Sequence, residues 1–241
     1  MMHNQMKLRA TMGTLGVALL LAFTGDAAPA QEIGYPPARS PFRDIEYRQE
    51  LTLFGGWFLA GKDPAGVAPK SGPTLGLRYE ANVGGPISLF GRLSTVLSER
   101  RVVDPREPEA TRELGVQSWP LYMADFGIAL NLTGQKSYHR IVPVVNVGFG
   151  FASDFGRSVE EDPFEFGTTF ALTYGAGLRV IPGGRFQWRL SLDNYLYRLE
   201  YPPSYYVLPG EGPAVVDADQ KRSFWKNNTA FTLGGSMLFF R

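Results

Sequence analysis

Along much of this chain apolar and polar residues alternate one for one. In residues 228–240, Phe231, Leu233, Met237 and Phe239 fall on one side, and Ala230, Thr232, Gly234 and Ser236 on the other. Successive side chains of a strand point to opposite faces, so this segment reads as a strand with one greasy face and one small, polar face. Seven earlier segments repeat the pattern, over residues 47–59, 74–83, 87–102, 117–132, 141–152, 166–181 and 185–199. In residues 74–83, Leu75, Leu77, Tyr79 and Val83 oppose Thr74, Gly76, Arg78, Glu80 and Asn82. In residues 185–199, Phe186, Trp188, Leu190 and Leu192 oppose Gln187, Arg189, Ser191 and Asp193.

The connections between these segments are short and long in turn. Gly84-Gly85-Pro86 and Pro182-Gly183-Gly184 carry tight-turn chemistry, and residues 133–140 form a modest link. Residues 60–73, 103–116, 153–165 and 200–224 are longer and rich in proline and charge. The pattern predicts an all-β fold: an eight-stranded antiparallel up-and-down transmembrane β-barrel, with short periplasmic turns and four longer extracellular loops. Alternation does not say which face is inside, because a soluble sandwich or lipocalin-like barrel would alternate with its apolar face inward. Small residues on the polar face, several of them among the 28 glycines, suit a narrow lumen. Aromatics near the segment ends (Trp57, Trp119, Tyr122, Trp188 and Phe239) suit two interfacial girdles, and these features favour the membrane barrel.

Lys7 and Arg9 precede an apolar run over residues 14–23, followed by Ala28-Pro29-Ala30, the order of a secretory signal cleaved before Gln31. The run is too short for a membrane helix, which needs about 20 residues. The expected organisation is therefore a signal peptide at 1–30, a proline-containing periplasmic lead-in at 31–46, and the barrel at 47–241. Loss of Lys7, Arg9 and Asp26 leaves 22 basic and 22 acidic residues, with no basic patch of the kind nucleic acid requires. There is no cysteine, which excludes disulfides, thiolate metal sites, a cysteine nucleophile and a lipid anchor on an N-terminal cysteine. A closed sheet can dispense with such staples because it leaves no edge.

The polar faces collect four acids, Glu50, Glu80, Asp125 and Asp193, and four arginines, Arg78, Arg92, Arg179 and Arg189. An eight-stranded barrel is just wide enough for side chains to fill. Unpaired charges there would be costly, so the eight are expected to interleave as a salt-bridged lumen network. A gated ion path through that plug is the competing reading. His139, beside Lys136, Ser137 and Arg140, is the one histidine outside the signal, and reads as a solvated turn residue rather than a catalytic or metal-binding one. Glu160-Glu161-Asp162 could hold divalent cations or simply be solvated. The aromatic stretch 201–209 could offer a contact surface or pack over the barrel mouth. No cofactor is expected.

The terminal segment resembles the signal that ends small OmpA/OmpX-type outer-membrane barrels. Thr232, Gly234, Met237 and Phe239 fit its polar, glycine, hydrophobic, aromatic spacing, and Phe240 fits a second frame; the chain departs from the pattern by adding Arg241. The resemblance spans residues 47–240 and implies insertion into the bacterial outer membrane by the barrel-assembly machinery, with outer-membrane lipid and lipopolysaccharide as partners. The expected function is a closed, salt-bridged barrel with a structural or surface-interaction role, without enzymatic activity and with an unknown extracellular ligand. Two alternatives remain open: a narrow pore for small solutes, and a lipid-modifying enzyme.

Overall fold

The structure, a computed structural model, describes residues 40–208 and 212–240. The expected signal segment 1–30 and most of the expected lead-in lie outside those residues, as does Arg241. Twelve strands are described: β1 (Phe42–Asp44), β2 (Gln49–Leu59), β3 (Gly72–Gly84), β4 (Ile87–Val96), β5 (Glu99–Val103) and β6 (Glu113–Ser118), then β7 (Leu121–Asn131), β8 (Lys136–Tyr138), β9 (Ile141–Ser153), β10 (Thr168–Gly183), β11 (Phe186–Glu200) and β12 (Ser223–Phe239).

Eight of them close on themselves in the order β2, β3, β4, β7, β9, β10, β11, β12, every neighbouring pair antiparallel. Closure runs along β12 and β2, from Thr229 opposite Leu59 to Phe239 opposite Gln49. Each barrel strand thus has a partner on both sides, as a sheet without water at its edges requires. The eight segments read from the sequence are these eight strands, with shifted ends. The third segment splits where the chain leaves the barrel at Val96, and β12 begins at Ser223 rather than at residue 228.

The short connections behave as turns. Gly84 and Gly85 have φ of 153° and 54°, and Gly183 and Gly184 have 134° and 71°, values that a side chain rarely tolerates. The modest link at 133–140 contains a short strand, β8, which pairs with β1. Phe42 and Tyr138 pack tilted against each other across that pair, with ring centroids 5.2 Å apart. This small ribbon and all the tight turns sit at one end of the barrel, the inner end.

At the outer end, β5 and β6 extend the β4–β7 hairpin beyond the barrel, where the alternation predicts strand ends and a loop. The apolar face of the barrel strands points outward all round the cylinder. Leu53, Leu93, Val147, Phe151, Leu233 and Met237 are each more than half exposed. In a soluble barrel that face would be the core, so the alternative with the sheet turned inside out is overturned.

Candidate functional site

The lumen collects the chain's ionisable chemistry. Inward positions of each strand share one parity, so Glu50, Arg78, Glu80, Arg92, Asp125, Arg179, Arg189 and Asp193 all project into the interior, each at most 5% exposed. They form two tiers.

Towards the inner end, Glu80 takes Arg78 at 2.8 Å and Arg189 at 2.9 Å, with Arg179 at 3.9 Å. Glu50 takes Arg179 at 2.9 Å and also binds Arg189 and the Gln187 amide. Above this, Arg92 grips Asp125 through Nε and Nη2, at 3.0 and 2.9 Å, and reaches Asp193 with Nη1 at 2.6 Å. Thr173 donates to Asp125 at 3.3 Å and Asn146 to Asp193 at 3.1 Å. Bidentate arginine–carboxylate contacts fix geometry as well as charge. Four acids against four arginines leave the two tiers neutral as a set.

Small residues make room for these side chains. At Gly150 an added Cβ would collide with the Ala124 carbonyl of the neighbouring strand, so β9 packs beside Asp125 only without a side chain there. Below the tiers a cavity of about 250 Å³ opens towards the inner end, lined by Glu50, Glu80, Asn82, Asn131 and Arg179 and by the segment that leads into β2.

Towards its outer end the lumen is largely apolar, where the alternation predicts polar side chains. Phe58, Leu121, Met123, Tyr195, Tyr197 and Leu199 point inward and meet Val67, Phe164, Phe166, Tyr201, Tyr205 and Val216 from the loops in one buried cluster. The long loops therefore fold into the mouth as a cap. Arg100 is wholly buried there. It pairs with Asp162 at 2.6 Å, donates to the Phe164 carbonyl at 2.9 Å and lies 4.4 Å over the Trp119 ring.

Asp162 also accepts the Phe164 amide and the Tyr205 hydroxyl, at 2.9 and 2.7 Å. It is thus a tie within the cap, while Glu160 and Glu161 face solvent, and the acidic run does not act as one unit. Tyr201 and Tyr205 are buried, so the aromatic loop packs over the mouth, leaving Val207 and Leu208 exposed. Burial, reinforced by Asp63 beside Tyr201 and by Asp162 beside Tyr205, holds both phenols well above their ordinary value of 10.0.

Trp119, expected in a membrane girdle, is buried in this cap, and its Nε1 donates to Asp154 at 2.8 Å. Trp57 and Trp188 are half exposed on the outer face, as is Trp225, which the sequence reading did not single out. His139 is exposed in the two-residue turn between β8 and β9, its ring against Tyr138, while Ser137 donates to the Arg43 carbonyl. Among the described residues, no group of three or more histidine and acidic side chains is placed to hold a metal. In the terminal strand, Thr232 and Gly234 face the lumen, Met237 faces outward and Phe240 is exposed with φ of 52°.

A closed antiparallel cylinder with a greasy exterior, neutralised charges inside and loops at one end has one home. This is a small transmembrane β-barrel. Its architecture is an eight-stranded antiparallel up-and-down barrel, with the tight turns at one end and the longer loops at the other. No protein-family model matches the sequence of this barrel, and no curated protein matches it. Among solved structures, the crystal structure of Neisserial surface protein A is similar over 83% of this chain and 98% of its own, at 9% identity and a TM-score of 0.42. OprG of Pseudomonas aeruginosa is similar over 80% and 98%, at 8% identity and 0.45. The E. coli outer membrane protein W, solved by NMR, is similar over 80% and 99%, at 12% identity and 0.40.

Proposed function

We propose that this barrel is a closed, non-conducting outer-membrane protein whose lumen is a structural plug and whose loop cap is a surface for interaction outside the cell. The carrying observation is the filling of the lumen in series. Ion-paired tiers occupy its inner and middle depth, and an apolar cap occupies its mouth. Buried pairs of this kind hold geometry more than they add stability, because desolvation offsets much of their attraction. A path for ions would have to break two arginine-centred clusters and then lift the cap.

No enzymatic role is proposed: the one histidine of the described chain is exposed at the periplasmic end, and the carboxylates of the lumen are engaged by arginines. The barrel exterior is the contact with outer-membrane lipid and lipopolysaccharide. The terminal strand, with Thr232, Gly234, Met237, Phe239 and Phe240, is the segment offered to the assembly machinery. The test is single-channel recording of the refolded full chain in planar bilayers. The closed reading expects a flat baseline. Stepwise currents from the wild-type protein would overturn it in favour of the narrow pore.

A further inference from the structure

A further buried charge lies outside the lumen network and the cap contacts described above. Lys226, on the inward face of β12 near the outer end, is 3% exposed. Its ammonium has three hydrogens to donate, yet its one hydrogen bond is a marginal contact with the Pro69 carbonyl at 3.5 Å. No carboxylate among the described residues comes within ion-pair distance of it. A buried ammonium without a counter-ion is costly, and such groups are otherwise paired.

Lys226 lines a pocket of about 440 Å³ beneath the first extracellular loop, together with Asp63, Lys70 and Ser71 and the backbone around Gly61 and Gly66. Asp63 is already spoken for: one oxygen accepts the Ala68 amide at 2.6 Å and the other the Tyr201 hydroxyl. Its charge still opposes an incoming anion, so two lysines against one aspartate leave the pocket with one positive charge. Ser71 Oγ accepts the Ala60 amide at 2.9 Å, which leaves its own hydrogen free to donate into the pocket.

We propose that this pocket binds a phosphate-type oxyanion, held by Lys226 from below and by Lys70 and Ser71 at the rim. A tetrahedral anion offers enough oxygens to meet two ammonium groups and a hydroxyl together, and lysine meets phosphate as a point charge without a planar fork. The phosphate can arrive on a soluble ligand or on the headgroup of a glycolipid in the outer leaflet. The inference deepens the surface-interaction reading and rests on it, by giving the cap a ligand chemistry.

The test is NMR of the full chain in phosphate-free nonionic micelles, titrated with inorganic phosphate against chloride at equal ionic strength. Saturable shifts of the Gly61, Lys70 and Ser71 amides are expected with phosphate alone. They should be lost in Lys226→Met and weakened in Lys70→Gln, which lies at the exposed rim and leaves the fold intact. Heat-modifiable gel mobility reports whether each variant has folded. Wild-type shifts no different from those in chloride overturn the proposal, as does an unchanged response in folded Lys226→Met. If Lys226→Met does not fold, an undiminished phosphate response in Lys70→Gln overturns it. Nanodiscs with and without lipopolysaccharide then separate the sources. Amides already at their phosphate-bound positions in the glycolipid discs identify the headgroup, and a response to added phosphate alone identifies a soluble ligand; both support the site. A channel found by bilayer recording would remove the closed-lumen reading, whereas an empty pocket would leave that reading standing.

Discussion

Arg92 binds two carboxylates that come from different strands and lie far apart in the chain, Asp125 and Asp193. Replacing it with methionine keeps the bulk and removes the charge, leaving both acids buried without their shared partner. We expect Arg92→Met to cost about 3–5 kcal/mol, the usual penalty for orphaning a buried ion, read from urea unfolding in micelles. Gly150→Val should also destabilise, because the new side chain would push β9 off β7. Unfolding at the wild-type urea midpoint would contradict this. That these eight charges face one interior was legible from parity. Which arginine serves which acid was not, since that depends on how the cylinder closes and staggers. Parity also held signals that were missed. Trp119, Leu121 and Met123 share the phase of Asp125, and Tyr195 and Tyr197 that of Asp193, so the apolar mouth was written in the same alternation. Lys226 shares the inward phase of Ala230 and Thr232, but the absence of a carboxylate at ion-pair distance from it among the described residues is visible only in three dimensions.

At the scale of elements, two connections carry structure that the alternation does not announce. The turn between β8 and β9 puts His139 and Arg140 at φ of 47° and 68°, where tight hairpins usually place asparagine and glycine. The left-handed conformation costs a side-chain-bearing residue roughly 1–2 kcal/mol, so Arg140→Gly should stabilise the folded barrel by about 1 kcal/mol. The cap is the second piece. Its fold follows from contacts between loops distant in sequence, which no local pattern announces. Because Tyr201 and Tyr205 titrate above their unfolded value of 10.0, the folded cap keeps its protons longer than the unfolded loop does. Their contribution is complete below pH 10 and falls as the pH rises beyond it. Limited proteolysis should therefore begin to cut the fourth loop in strongly alkaline buffer, and Tyr205→Phe should reduce that dependence while losing the bond to Asp162. Equal cleavage at neutral and alkaline pH would count against a packed cap.

Across the whole molecule, the order of the fold was open to reading because a closed up-and-down sheet has few degrees of freedom. Eight alternating segments with short and long links admit one simple closure, and the outward apolar face decides the solvent. What escaped was the use of the loops, which supply the mouth with its core and hold Trp119 inside it. The central claim is that the apolar face meets lipid while the interior is filled and sealed. Quenching of single-tryptophan variants by lipids brominated on their acyl chains tests it most directly, comparing a protein that retains Trp188 with one that retains Trp119. The structure predicts strong quenching of Trp188, half exposed on the outer face, and little or none of Trp119, which is 4% exposed. Equal quenching of the two, or protection of Trp188, would contradict the arrangement of inside and outside described above.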